Sequence, residues 1–336
     1  MRNMGGRRHG LLAAACVALL AACSPKTTPP PAPPPMPVRA DGAIRIPDRP
    51  VPLNPDDPKQ TEVDGFRYAG GLWLTSPDTS RLGGLSDLKV APDGTMISES
   101  DEGDLLTARI RLDPQGRLVG LDDAHIGFLR GQDGGPLPSK VEADAEGVAL
   151  WPNGDMMVSF ERDHRIWIYP GGTGRPYAAP MPDEKMPENR GMEGLALAPS
   201  QGPDAYWVGI EGGSIWLCRL KAACAKAPGQ FPPPLAYRLS ALGETPQGDL
   251  AVLHHSWTPL TGSRIILSVI ENPATHPRPK VKARLHLAPP LTVDNFEGVA
   301  AVSRPNGDVR FYLIVDDNFS DKQRSLLLAF DWKPVR

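Results

Sequence analysis

The feature that most constrains this chain is a repeat. Around the turn Pro152-Asn153-Gly154, an acid (Glu146) opens an apolar run through residue 151, and a second apolar run over residues 156–160 ends in another acid, Glu161. The stretches beginning at Ser86 and Ser240 superimpose on this one without a gap, and those beginning at Glu193 and Glu297 do so with a few extra residues at the turn. The five starts, at 86, 146, 193, 240 and 297, lie 47 to 60 residues apart. Apolar runs flanking Asn-Gly or Asp-Gly are a strong hairpin signal. A third strand-like run follows each hairpin, at 165–169, 214–217, 264–270 and 325–330, and a weaker fourth follows in some copies, as at 282–287. No long amphipathic helix is legible. Four short strands repeated at this period read as blades of an all-β propeller.

The last copy reaches the end of the chain after its third strand, whereas residues 66–74 form an orphan strand ahead of the first copy. Five blades are therefore expected, with the N-terminal strand completing the last and closing the ring. Six is the alternative if the wide interval from 101 to 146 hides a degenerate blade, and a two-sheet sandwich is the competing architecture.

Within a copy, Glu146 starts one strand and Glu161 ends its antiparallel neighbour, so their side chains belong at the same end of the hairpin. If first strands line the channel of a propeller, these ends converge on one rim. That rim would carry Asp101, Glu146, Glu161, Glu193, Glu211, Glu297 and Asp316, extended by Asp317 and Asn318. Carboxylates about 5 Å apart repel by roughly 3 kcal/mol per pair at an effective dielectric of about 20. Such a cluster calls for protons, basic partners or a cation. Oxygen ligands without thiols suit Ca²⁺ or Mg²⁺, and Ca²⁺ tolerates irregular geometry better. The bland alternative is that each Glu-Gly pair only fixes a turn. Arg162, His164, Arg190 and the pair His254-His255 lie nearby in sequence, and His255 stands where the second copy has Glu161. Gly-x-Ser-x-Gly, His-Glu-x-x-His and Gly-Lys-Ser/Thr signatures are absent. Trp151, Trp167, Trp207 and Trp216 fall in strand patterns and read as blade packing.

The first 22 residues read as a targeting segment. Arg2, Arg7 and Arg8 precede an apolar run over residues 11–22 that is too short for a permanent span, and Leu20-Ala21-Ala22-Cys23 resembles a bacterial lipobox. Cys23 is thus the expected lipidation site, and residues 23–60 the expected proline-rich tether ahead of a folded body at 61–336. Cleavage would lower the Lys and Arg count from 36 to 33 against 39 acids. That acidic balance argues against a nucleic-acid partner, which needs a basic face. The expected setting is a periplasm-facing, lipid-anchored monomer in the cell envelope, at the outer membrane, touching the membrane through its anchor only. Cys218 and Cys224 are expected to pair as a loop-stapling disulfide, which an exported compartment permits.

The chain also resembles a known family. Gly84-Leu85-Ser86 with Ser100-Asp101, Asp144-Ala145-Glu146-Gly147 with Ser159-Phe160-Glu161-Arg162, Gly191-Met192-Glu193-Gly194, and Asn295-Phe296-Glu297-Gly298 with Asp316-Asp317-Asn318-Phe319 are similar to motifs of the bacterial phytase-like domain proteins labelled "esterase-like activity of phytase". The resemblance implies a propeller and a hydrolase of phosphate or carboxylic esters. The fourth copy departs from it, with Leu253-His254-His255 where family members commonly carry Leu-Glu-Arg. On this reading Glu146, Glu193 and Glu297 carry catalysis, Arg162 and His255 orient a small anionic substrate, and the seven rim acids hold Ca²⁺. The alternative is a non-catalytic lipoprotein that uses the same face to bind an envelope partner.

Overall fold

The computed structural model describes residues 41–334. The expected targeting segment, the expected lipidation site Cys23 and the expected tether up to residue 40 lie outside them. The described chain opens with two short strands, β1 (Gly42–Ala43) and β2 (Glu62–Val63), and a longer one, β3 (Phe66–Trp73). The first copy of the repeat forms β4 (Leu85–Val90), β5 (Thr95–Ser100), β6 (Asp104–Leu112) and β7 (Leu118–Phe128), followed by a one-turn helix, α1 (Lys140–Ala143). The second forms β8 (Ala145–Leu150), β9 (Met156–Phe160), β10 (Arg165–Tyr169) and β11 (Tyr177–Ala179). The third forms β12 (Gly194–Leu197), β13 (Ala205–Gly209), β14 (Ile215–Arg219) and β15 (Ala222–Lys226). The fourth forms β16 (Arg238–Glu244), β17 (Leu250–Thr258), β18 (Gly262–Ile270) and β19 (Val281–Leu287). The last forms β20 (Phe296–Ser303), β21 (Val309–Val315) and β22 (Leu326–Trp332).

Each copy is one antiparallel sheet, and the innermost strands β4, β8, β12, β16 and β20 pack side by side in a closed ring. The fold is a five-bladed β-propeller. β3 pairs with β22, with Trp332 opposite Phe66, so the orphan strand completes the fifth blade as its position implied. The interval from 101 to 146 holds the long β6–β7 hairpin and α1 rather than a sixth blade.

Residues 41–60 differ from the expected free tether. Gly42 and Ala43 add an edge to β7, Pro50 bridges Leu72, and the Val51 N–H donates to Gly71 O. Leu53 is buried, and its carbonyl accepts from the Thr292 N–H. Ile44, Ile46 and Leu53 supply apolar anchors among the prolines, and polyproline geometry is itself extended enough to follow a sheet edge. Residues 41–60 are therefore part of the packed body.

Strand patterns follow blade position. Strands β9, β13 and β21 sit mid-blade with neighbours on both faces, so every residue in them is buried and each reads as a mainly apolar run, interrupted by Ser159 in β9 and by Arg310, paired with Asp331, in β21. The peripheral strand β19 alternates, burying Leu285 and Leu287 while exposing Arg284 and His286. Cys218 and Cys224 form the expected disulfide across the β14–β15 hairpin.

Candidate functional site

One local device builds the site, and it recurs in all five blades. In the second blade Ala145 pairs with Phe160 and Gly147 with Ser159, which leaves Glu146 as an extra residue in a β-bulge. The same one-residue shift leaves out Ser86, Ser240 and Glu297. In the third blade Gly194 pairs with Gly209, while the Glu211 N–H donates to Gly191 O; the offset singles out Glu193. Bulges re-aim side chains, and here they turn Glu146, Glu193, Ser240 and Glu297 into the channel mouth, while Ser86 stays buried and donates to Gly84 O. The glycine after each glutamate is required by close approach. A Cβ on Gly147 would lie 2.8 Å from Leu195 Cβ, and one on Gly298 would lie 2.7 Å from the Asp87 Cα of the neighbouring blade.

Beside the bulge, the end of each second strand contributes Asp101, Glu161, Glu211, His255 or Asp316. The residue across from it, one or two before the bulge, is Gly84, Asp144, Gly191, Arg238 or Asn295. Three rings of five positions thus surround a cavity of about 320 Å³, lined by Glu146, Glu161, Glu193, Glu211, Glu297, Asp316, Asn295, Asn318, Arg238, Ser240, Leu239 and His255. Seven of the nine expected site residues, the six acids other than Asp101 together with His255, meet there.

Asp101 and Arg162 stand one step outside. Lys140 of α1 donates to Asp101 Oδ2 at 2.7 Å and to Asp144 Oδ1 at 2.6 Å. Arg162, in the left-handed region at φ 56°, turns its guanidinium to Asp144 instead of the cavity. Arg162, expected to orient an anion, does not line the cavity; Arg238 does, and it donates to Glu211 Oε1 at 2.6 Å.

Charge is distributed unevenly across the rings. Asp101, Asp144 and Glu211 have Lys or Arg partners, with Arg190 a second partner of Glu211 at 3.4 Å. Among the described residues, no Lys or Arg ion-pairs with the bulge glutamates Glu146, Glu193 and Glu297. Burial, and then the neighbouring carboxylates, hold Glu146 and Glu297 well above the usual carboxylate range. The same two causes, in the same order, push Glu193 up to about 8. Burial also raises Glu161 and Asp316 to about 7. His255 is driven down to about 4 by burial and by Arg238, so it is neutral at pH 7. Its Nδ1 lies 3.6 Å from Glu297 Oε1, and its Nε2 is buried with no hydrogen-bond partner.

Oxygens of Asp144, Glu146 and Glu161 all lie within 4.8 Å of one another. Three such atoms can share one central ion at the 2.3–2.6 Å of a Ca–O contact. Asp144 was not singled out from the repeat because the equivalent position is Gly84 or Gly191 in other blades. Its sequence signals are its place two residues before Glu146 and its position at the head of the family-like motif Asp144-Ala145-Glu146-Gly147.

The family described as Phytase-like, "Esterase-like activity of phytase", matches residues 80–319. The chain belongs to this family. The match runs from just ahead of the first blade to Phe319, past every rim position. No curated protein matches the chain. Solved structures similar to it include a structural-genomics protein of unknown function from Bacteroides thetaiotaomicron VPI-5482, at 9% identity over 80% of this chain and 67% of that one, with a TM-score of 0.46. A streptogramin B lyase aligns at 13% identity over 79% of this chain and 97% of its own, with a TM-score of 0.40. A virginiamycin B lyase from Staphylococcus aureus aligns at 12% identity over 80% and 74%, with a TM-score of 0.35.

Proposed function

We propose that this phytase-like propeller is a Ca²⁺-dependent hydrolase of phosphoesters or related anionic esters, acting at the acidic mouth. The observation that carries the reading is the trio Glu146, Glu193 and Glu297: half-buried, aimed by bulges at one cavity, and without a cationic partner among the described residues. Carboxylates held together in this way favour a bound cation over open repulsion. The donor set is all oxygen, which fits Ca²⁺. Asp144, Glu146 and Glu161 would hold it, with Glu193, Glu297 and Asp316 within the same mouth. A bound Ca²⁺ supplies polarisation of the ester oxygens and makes water easier to ionise.

The chain's own residues do the rest. Arg238 is the cation that lines the cavity and attracts the anionic group, while Glu211 fixes its guanidinium. Neutral His255, in the tautomer with its proton on Nε2, donates to an ester oxygen, with Glu297 Oε1 3.6 Å from its Nδ1. Glu193, poised near 8, can take the proton of an attacking water and return it to the leaving oxygen.

The test is calorimetry with Ca²⁺ on the folded body, with hydrolysis of a phosphomonoester and of a short-chain carboxylic ester followed with and without EDTA. Glu146→Gln and Glu297→Gln are expected to lose both ion binding and turnover. Turnover unchanged in correctly folded variants would overturn the site. Ion binding without turnover on either ester class would favour the non-catalytic reading, in which the mouth holds an envelope partner. The reading also places the domain on a lipid anchor at Cys23, supported by the lipobox-like sequence. Mass spectrometry of the membrane fraction checks it, and an unmodified N-terminus would remove it.

A further inference from the structure

We propose that Trp257 is the platform of a second subsite, which seats the ring-bearing portion of the ester whose anionic end occupies the acidic mouth. The proposal rests on the functional reading above for the anionic end only. Strand β9 stops at the rim with Phe160, just before Glu161, but its counterpart β17 runs on past His255 through Ser256, Trp257 and Thr258. These three pair with Arg264, Ser263 and Gly262 of β18, so the blade-four hairpin stands above the mouth as a flange. Alternation along a strand puts Trp257 on the same face as His255 and sends Ser256 to the other, where it is buried.

Trp257 is 62% exposed, which is costly for an indole with no role at the surface. It lines a cavity of about 600 Å³, together with Pro289, Val293 and Lys322. That volume falls within the range of small-molecule sites. His255, Asn295 and Asn318 line both this groove and the acidic mouth, so one molecule can occupy the two together. The mouth offers Arg238, a hydroxyl, an imidazole and, on the functional reading above, a Ca²⁺ held by its carboxylates; the groove offers an aromatic face, a proline and a valine. A ligand complementary to both carries an anion at one end and a ring at the other.

The experiment labels the tryptophan indole nitrogens with ¹⁵N, assigns Trp257 with Trp257→Phe, and titrates three probes in Ca²⁺-containing buffer: 1-naphthyl phosphate, 1-naphthol and inorganic phosphate. The Trp257 indole signal is expected to move with both naphthyl probes and to stay in place with phosphate. Trp73, a half-exposed indole on β3, is expected to stay in place with all three. Trp257→Ala is expected to weaken naphthyl phosphate about tenfold relative to phosphate. A Trp257 signal unmoved by both naphthyl probes, or moved no more than that of Trp73, overturns the subsite. Failure of phosphate to bind, with Trp257 still responding selectively to naphthol, counts against the anionic reading and leaves the ring subsite standing.

Discussion

The two ends of the axial channel are made by the same five strands, yet their chemistry is opposite. At the end where β4, β8, β12, β16 and β20 begin, carboxylates crowd a polar cavity of about 320 Å³. At the end where these strands finish, Val90, Leu150, Trp151, Leu197, Val299, Ala300 and Ala301 line a smaller, mainly apolar hollow of about 180 Å³, with Lys89 and Glu244 as its charged members. The difference lies in the backbone before it lies in the side chains. The bulges sit only at the acidic end; from Gly147 to Leu150 the ladder with β9 is regular. A regular ladder sends alternate side chains between blades, where they must be apolar. A bulge frees one residue per blade from that alternation, and that residue can be charged.

Asp87 divides the two ends. It occupies the position that Gly147, Ala241 and Gly298 hold in other blades, just after the bulge. Its carboxylate accepts from the N–H groups of Leu88, Val148 and Val299 and from Lys89 Nζ, tying three blades together where their innermost strands meet. Asp87→Ala should therefore have the largest effect of any single change, removing about 3–5 kcal/mol by stranding Lys89 and several N–H donors. Urea unfolding measures this, and a loss under about 1 kcal/mol would show that the ends do not depend on a central tie.

The next contrast is between pH and calcium. Glu161 and Asp316 at about 7 and Glu193 at about 8 keep protons in the folded state that the unfolded chain has released above about pH 4.5. In EDTA, stability should fall as pH rises from about 4.5 to 8. His254 and His255, held near 4, act in the opposite sense between about 6.5 and 4, but they are outnumbered. Calcium at a hundred times its Kd should restore about 2.7 kcal/mol at pH 8. Thermal unfolding with and without calcium reads both effects, and a calcium shift as large at pH 5 as at pH 8 would contradict ion binding to the ionised acids.

Glu297→Gln should then act in two directions. Without calcium it should stabilise the fold at pH 8 by about 1 kcal/mol, by removing a half-buried carboxyl whose ionisation burial and the neighbouring carboxylates oppose, and it should abolish the calcium shift. A variant less stable than the parent in EDTA would mean that the carboxylate is a structural acceptor. The smallest effect belongs to the apolar end. Leu150→Ala should cost roughly 1 kcal/mol, as expected for a half-buried leucine, and leave calcium binding unchanged. A changed calcium affinity would couple the two ends through β8.

Much of this was legible in the chain because blades are local. Each hairpin carries its own turn and apolar period, so the five starts, the closing strand and the disulfide could be placed without tertiary information. The convergence of Glu146, Glu193 and Glu297 was legible for the same reason, since equivalent positions in a closed ring must meet. What repeated least was hidden. Asp144, Arg238 and Asn295 share one ring position but differ in chemistry, so the repeat itself does not mark them, and the anchoring of residues 41–60 depends on outer blade edges that no local rule describes.

The sequence by itself determined the architecture and the acidity of one rim, because periodicity and charge are written residue by residue. Only the tertiary structure decided which carboxylates keep a basic partner and which face one another bare. Arg162 turned to Asp144 and Arg238 took its place at the mouth, a choice set by left-handed backbone at one residue and by distances between blades. Distances across the ring exist only once it has closed.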